Sequence, residues 1–328
     1  MPRPLAAVAA LVLATVPAAV RAEPLDLSLV KLGAPSAQVW NALGIRLGVS
    51  ADADALASEA KERFARLSVE TALAFSSAML QPATTTGVAG WDVGFEATYV
   101  GVHPEATGTA TFGTGPAERF GPRGPWQTRG PAPHELTLAG FHLRKALPYS
   151  FELGGRFVYL SQSNYGAAQV EGKWAVVEGY KVWPDFALRA AYTTVLGQRD
   201  WNVGALDLGG IVSKRFGLNA VVSVTPYLAG RWTRVTASSE VLDFGPDTGA
   251  STPEEMRASQ AAFPELSASV LRYTVGARLN ASTFALAVEG NYLPGKKLAG
   301  ESAPTASQYP DVELAGSWGV AFRVGWDF

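Results

Sequence analysis

The chain ends on a stretch that admits few folds. Its last residues, Trp318 to Phe328, read WGVAFRVGWDF. Counting back by twos gives Phe328, Trp326, Val324, Phe322, Val320 and Trp318, with Asp327, Gly325, Arg323, Ala321 and Gly319 between them. One face is apolar and the other small or charged, and side chains that change face at every residue belong to a strand, not a helix. The run has the ~9–11 residues that a tilted strand needs to cross a bilayer, with aromatics near both ends. A strand in hydrocarbon cannot leave its backbone N–H and C=O groups unpaired, so other strands must close around it.

The chain from Trp91 onward supplies them. Trp91 to His103 alternates Trp91, Val93, Phe95, Ala97 and Tyr99 with Asp92, Gly94, Glu96 and Thr98. Leu136 to Arg144, Phe151 to Ser161, Ala168 to Gly179 and Phe186 to Leu196 repeat the pattern, as do Ala268 to Asn280 and Thr283 to Leu293. Trp201 to Arg215 changes phase near Leu206, which predicts a bulge. The facing of Leu218 to Thr233 is ambiguous, because Pro226 and Tyr227 fit either side. A final strand from about Asp311 completes the set. The turns near Pro148, Pro184, Gly217 and Ala281 are short and share one end. The long connections 104–133, 236–267 and 294–310 share the other, the asymmetry of membrane barrels. The expectation is an all-β, transmembrane, antiparallel up-and-down β-barrel of about ten strands over residues 91–328. A periplasmic β-sandwich is the soluble alternative.

The other end looks like an export signal. Met1, Pro2 and Arg3 precede an apolar run from Leu5 to Val16, and small residues lead to Ala22, which predicts a cleaved signal peptide over residues 1–22. With Arg3 and Arg21 gone, two fewer than the chain's 27 basic residues stand against 29 acidic ones. That mild acidity argues against nucleic acid as a partner. Cysteine is absent, which excludes disulfides and thiolate metal sites. No later run is apolar enough for a spanning helix.

Residues 23–90 read differently. Pro35 and Ser36 start one helix over Ala37 to Leu47, and Ser50, Ala51 and Asp52 cap another. Leu56, Ala60, Phe64, Leu67, Thr71, Phe75 and Met79 then recur at three to four residues, although Val69 to Phe75 also alternates. The segment is a helical extension in the periplasm or a plug inside the barrel, with Pro82 to Gly90 as a flexible connection.

Inward positions collect Asp92, Glu96, Arg144, Glu152, Arg156, Glu171, Lys173, Arg189, Arg272, Arg278, Glu289, Glu313 and Arg323. In a narrow barrel these either cross-brace one another or line a selective passage. His103, His134 and His142 are the only histidines. An enzyme would need one beside a carboxylate at the rim, such as Glu105 or Glu135, and no such motif is visible. The Gly-rich loop 104–133 opens no helix and so makes no phosphate cradle. Asp243, Asp247, Glu254 and Glu255 have no calcium-loop spacing, and neither metal nor cofactor is expected.

The tail Trp318, Val320, Phe322, Val324, Trp326 and Phe328 resembles the C-terminal strand of bacterial outer-membrane β-barrel proteins. The resemblance implies the outer membrane of a Gram-negative-type bacterium as location, its lipid as solvent, and recognition of the tail by the barrel assembly machinery. It names no activity. The expectation is a narrow channel or transporter for a small solute. The alternative is a non-conducting barrel that binds a surface partner through its long loops, and an outer-membrane hydrolase ranks third.

Overall fold

The computed structural model describes residues 23–47, 52–105, 124–128, 131–180, 182–218, 221–245, 252–298, 309 and 312–328. The expected signal peptide, Asp247 and most of the Gly-rich loop lie outside them. Ten strands form the barrel: β1 (Trp91–Gly101), β2 (Glu135–Leu147), β3 (Phe151–Leu160), β4 (Gly166–Val177), β5 (Asp185–Leu196), β6 (Trp201–Ser213), β7 (Val222–Ser239), β8 (Leu266–Ala281), β9 (Phe284–Leu293) and β10 (Ser317–Asp327). Each pairs antiparallel with its sequence neighbours, and β10 pairs with β1 from Asp92↔Asp327 to Val100↔Gly319, so no edge remains. Phe328 and Trp91 complete the closure by exchanging backbone hydrogen bonds.

Alternation decides what each face meets. Phe95, Tyr99, Phe141, Leu153, Phe157, Val170, Trp174, Leu188, Leu271, Tyr273, Tyr292, Phe322 and Val324 all point outward and are exposed. A continuous belt of this size far exceeds the patches water-soluble monomers tolerate. In a transmembrane barrel it is the lipid-facing surface. Tyr99, Tyr159, Tyr192, Tyr273, Tyr292 and Trp318 lie toward the long-loop end, while Trp91, Phe151, Trp174, Phe284 and Trp326 lie toward the short-turn end. Those are the two levels where amphipathic rings are favoured.

Three expectations need correction. No bulge occurs near Leu206: β6 keeps unbroken register with both β5 and β7. Its apolar residues change parity because Trp201 and Val203, near one end, point inward into an apolar interior, whereas Leu206 and Leu208 point outward. The register shift falls instead between Ala175 and Val177, where β4 meets β5. The last barrel strand begins at Ser317, not near Asp311, because Val312–Leu314 pairs with Lys296–Leu298 in a separate ribbon above the barrel. Glu313 lies on that ribbon, not in the lumen. Its side chain is 69% exposed and pairs at 2.7 Å with Lys297.

Residues 23–90 hold a 3-10 turn (Leu29–Leu32), helix α1 (Ala37–Leu47) and helix α2 (Ala53–Phe75). Asp52 caps α2 by accepting from Asp54 N and Ala55 N. The alternating stretch Val69 to Phe75 is helical. Met79, despite its spacing, lies beyond the helix, since α2 stops at Phe75 and Ser76 turns its hydroxyl back onto the Ala72 carbonyl.

Candidate functional site

The barrel interior has two halves of opposite chemistry. Toward the long-loop end, Val100, Leu136, Leu138, Val158, Leu160, Trp201, Val203, Val235, Leu266 and Val270 point inward and pack with Leu56, Phe64, Leu67 and Leu73 of α2. Phe64 stacks on Phe263 with ring centroids 4.4 Å apart and meets Trp201 edge-on at 6.1 Å. Phe244 and Leu242 of the β7–β8 connection, Trp126 of the β1–β2 connection, and Trp40 of α1 join the same core. The described parts of the long loops and of residues 29–75 therefore form one hydrophobic cap, partly sunk in the barrel mouth.

Polar ties fix this cap. Glu70 of α2 accepts from the Trp126 indole at 2.5 Å and from His103 N at 3.3 Å. Its other oxygen is 3.7 Å from His103 Nδ1. The Glu70 carboxylate beside the ring raises the His103 pKa above its ordinary 6.5, against the opposing effect of burial. Tyr165, between β3 and β4, accepts from Leu27 N at 2.9 Å, and burial pushes its hydroxyl up to about 12.

Below the cap the interior is charged. Arg144 and Arg189 grip Glu171 at 2.6 and 2.5 Å, and Arg156 reaches Glu96 at 2.5 Å. Lys173 meets Glu152 at 3.2 Å, Arg272 meets Asp207, and Arg278 meets Asp327. Asp92 takes Arg323 directly, with Arg144 and Arg278 at 3.4 and 3.5 Å. His142 lies between Asp92 and Glu96, at 3.6 and 3.5 Å. Buried charges are costly unless paired, and this network pairs most of them between strands one or two apart around the barrel.

Several further donors of this network go to the chain that runs through the middle. Past Phe75 the backbone is neither helix nor strand, and its carbonyls, like the last ones of α2, are orphans that a membrane-embedded interior must satisfy. Arg156 donates to Phe75 O at 2.8 Å, Arg272 to Leu73 O at 3.2 Å, and Arg144 to Met79 O at 2.6 Å. Lys173 donates to Pro82 O and Thr84 O at 3.3 and 2.9 Å. Ala83 N reaches Ser213 Oγ at 3.1 Å, and Thr85 N reaches Glu178 at 2.6 Å. The stretch expected as a flexible connection is thus bonded to β4, β6 and the β4–β5 turn.

Two buried charges depend on this chain most. Among the described residues Arg231 has no carboxylate partner; it donates to Ser76 O at 3.1 Å and to Ser77 O and Asn291 Oδ1 at 2.7 Å. Glu289 has no cation partner among the described residues. It accepts from Met79 N at 2.9 Å, Leu80 N at 2.7 Å, the Tyr227 hydroxyl at 2.8 Å and Asn291 Nδ2 at 3.0 Å. The cation holds carbonyls and the anion holds amides on either side of Ala78, with Asn291 linking the two. Leu80, whose N–H points at the carboxylate, takes a left-handed φ of 53°. Tyr227 reaches Glu289 by lying across Gly276, where a Cβ would collide with its ring.

Of the charged residues expected to face inward, all but Glu313 lie in the barrel interior, while Trp318, Phe322, Val324, Trp326 and Phe328 of the tail are exposed on the outer face. The sequence reading missed Asp207, Arg231 and Tyr227. Asp207 was hidden by the supposed bulge, and the other two sit on the strand whose facing was undecided. Strict parity through β6 would have found the first. Toward the short-turn end a cavity of about 640 Å³ opens beneath Thr84 to Thr86, lined by Glu178, Asp185, Lys214, Arg215, Arg278 and Asp327 among others. Among the described residues no group of His, Asp and Glu is arranged to hold a metal.

No protein-family model matches the chain, and no curated protein matches it. Among solved structures it is similar to Ail, the attachment invasion locus protein of Yersinia pestis, at 13% identity over 74% of this chain and 100% of that one, with a TM-score of 0.25. The N-terminal β-barrel domain of Pseudomonas aeruginosa OprF gives 10% identity, 74% and 99% coverage, and a TM-score of 0.25. The outer membrane protease OmpT from Escherichia coli gives 6%, 74% and 97%, and 0.30. At these identities and TM-scores, the likenesses carry nothing about activity, substrate or partner.

Proposed function

We propose that the protein is a closed outer-membrane β-barrel of a Gram-negative-type bacterium whose working surface is the cap at its long-loop end. The observation that carries this is the continuity of the filling. An apolar core occupies one half of the lumen, and in the other half five cationic side chains donate to a backbone that passes through it. The long loops build the cap, and loops at that end face outward in barrels of this kind. The tail through Phe328 is the part the assembly machinery would read during insertion, and lipid is the belt's solvent.

This favours the surface-binding alternative over the small-solute channel, because passage would require residues 76–86 to leave the lumen. A hydrolase finds little support: the Glu70 carboxylate beside His103 is already held by the Trp126 indole within the cap, and His142 is buried between two carboxylates. Purified protein reconstituted in planar bilayers tests the reading. The closed barrel predicts no steady ionic current, and a stable ohmic conductance from the wild-type chain would restore the channel.

A further inference from the structure

The direction in which the chain fills the barrel has a topological consequence. Residues 25–31 are bonded to the long-loop end. Leu25 N donates to Gln162 O at 3.0 Å, Leu27 forms a β-bridge with Thr128, and Ser28 N donates to Gln127 O at 3.0 Å. Asp26 accepts from Asn164 N and Nδ2 at 2.9 and 2.8 Å. From there α2 descends, residues 76–83 lie at the level of the charged network, and Thr85 meets Glu178 at the short-turn end. β1 then starts at Trp91 on that same end and climbs back.

We infer that this barrel carries its own N-terminal segment across the membrane, so that residues 23–28 are displayed on the cell surface. A polypeptide joined ahead of Pro24 would be presented outside with them. The inference rests on the orientation given under the proposed function. An exported chain begins on the periplasmic side, so residues ahead of α2 must traverse the lumen before or while β10 closes onto β1. A periplasmic extension would have shown the opposite order, with residues near 25 bonded to the short turns. The ties at Leu25 to Lys31 are to three separate partners, Gln127, Thr128 and the 162–165 loop, which fixes the segment over the mouth instead of leaving it to chance contact.

The chain's lack of cysteine makes the test direct. Pro24→Cys, Val241→Cys and Val182→Cys are made singly; all three positions are exposed, the second in a long loop and the third in a short turn. Intact cells are treated with a membrane-impermeant maleimide, with heat-shifted mobility on semi-native gels as the check that each variant is folded. Labelling at 24 and 241 alike, with 182 reacting only after the outer membrane is permeabilised, is the expected result. Position 24 behaving like 182 while 241 labels would overturn the inference and leave the orientation standing. Position 182 labelling while 241 does not would overturn the orientation, and the surface display with it.

Discussion

Replacing Glu289 by Gln isolates the clamp on the central segment. The carboxylate accepts four hydrogen bonds, from Met79 N, Leu80 N, the Tyr227 hydroxyl and Asn291. The amide keeps the shape but offers one acceptor oxygen in place of two and carries no charge. If its NH2 faces Tyr227 and Leu80, the hydroxyl can rotate and accept, but the Leu80 N–H cannot. An orphaned buried donor costs about 1–3 kcal/mol, and the surviving bonds lose the charge that made them stronger. A total near 3 kcal/mol is roughly a hundredfold in the equilibrium between docked and released segment. Hydrogen exchange reads this locally. The amides of Met79, Leu80 and Ala83 should exchange roughly a hundredfold faster, while α2, held by the separate apolar core, keeps its protection. Unchanged protection at Met79 and Leu80 would refute the claim that the carboxylate holds the segment.

Other perturbations reach different parts of the same account. Gly276→Ala places a Cβ against the Tyr227 ring; it should raise exchange at Leu80 in the manner of Glu289→Gln, and combining the two should add less than the sum of each. Phe64→Ala removes the fully buried ring at the centre of the cap; it should cost the cap about 3–5 kcal/mol, read as faster proteolysis within α2. The His103 pKa is raised by the Glu70 carboxylate beside it, with Glu105 also favouring the charged form and Arg66 opposing it. Its contribution to cap stability is therefore complete below the ordinary 6.5 and fades as pH rises through the raised value. His103→Ala should abolish that pH dependence of α2 proteolysis, and a persistent dependence would assign it elsewhere.

The barrel was legible in the sequence because lipid imposes one rule on the outward positions, and β1, β2, β3, β5, β8, β9 and β10 follow it along their central stretch, with polar outward residues such as Glu135, Lys145, Thr194 and Ser267 only near the strand ends. The inward face follows no single rule. Trp201 and Val203 point into a lumen filled by α2, so a reading that equates apolar with outward takes them for a change of phase. Arg231 stayed hidden because Pro226 and Tyr227 obscured the facing of β7, although continuing the parity of β6 across its pairing would have settled both. Glu313 looked inward because the final strand was drawn too long; the Lys296–Leu298 and Val312–Leu314 ribbon lies beyond the membrane span, where alternation no longer reports on lipid. The role of residues 76–86 carried no periodic signal at all. Their side chains are mostly small, and what the barrel binds is their backbone, which is the same in every sequence.

Accessibility at Ala78 tests the filled interior most directly, since that residue lies between the carbonyls held by Arg231 and the amides held by Glu289 and is 1% exposed. A single Ala78→Cys in folded, detergent-solubilised protein should resist a small maleimide until the barrel is denatured. Prompt reaction at the rate of an exposed thiol at position 24 would mean that the lumen is open to solvent and the segment is not its filling.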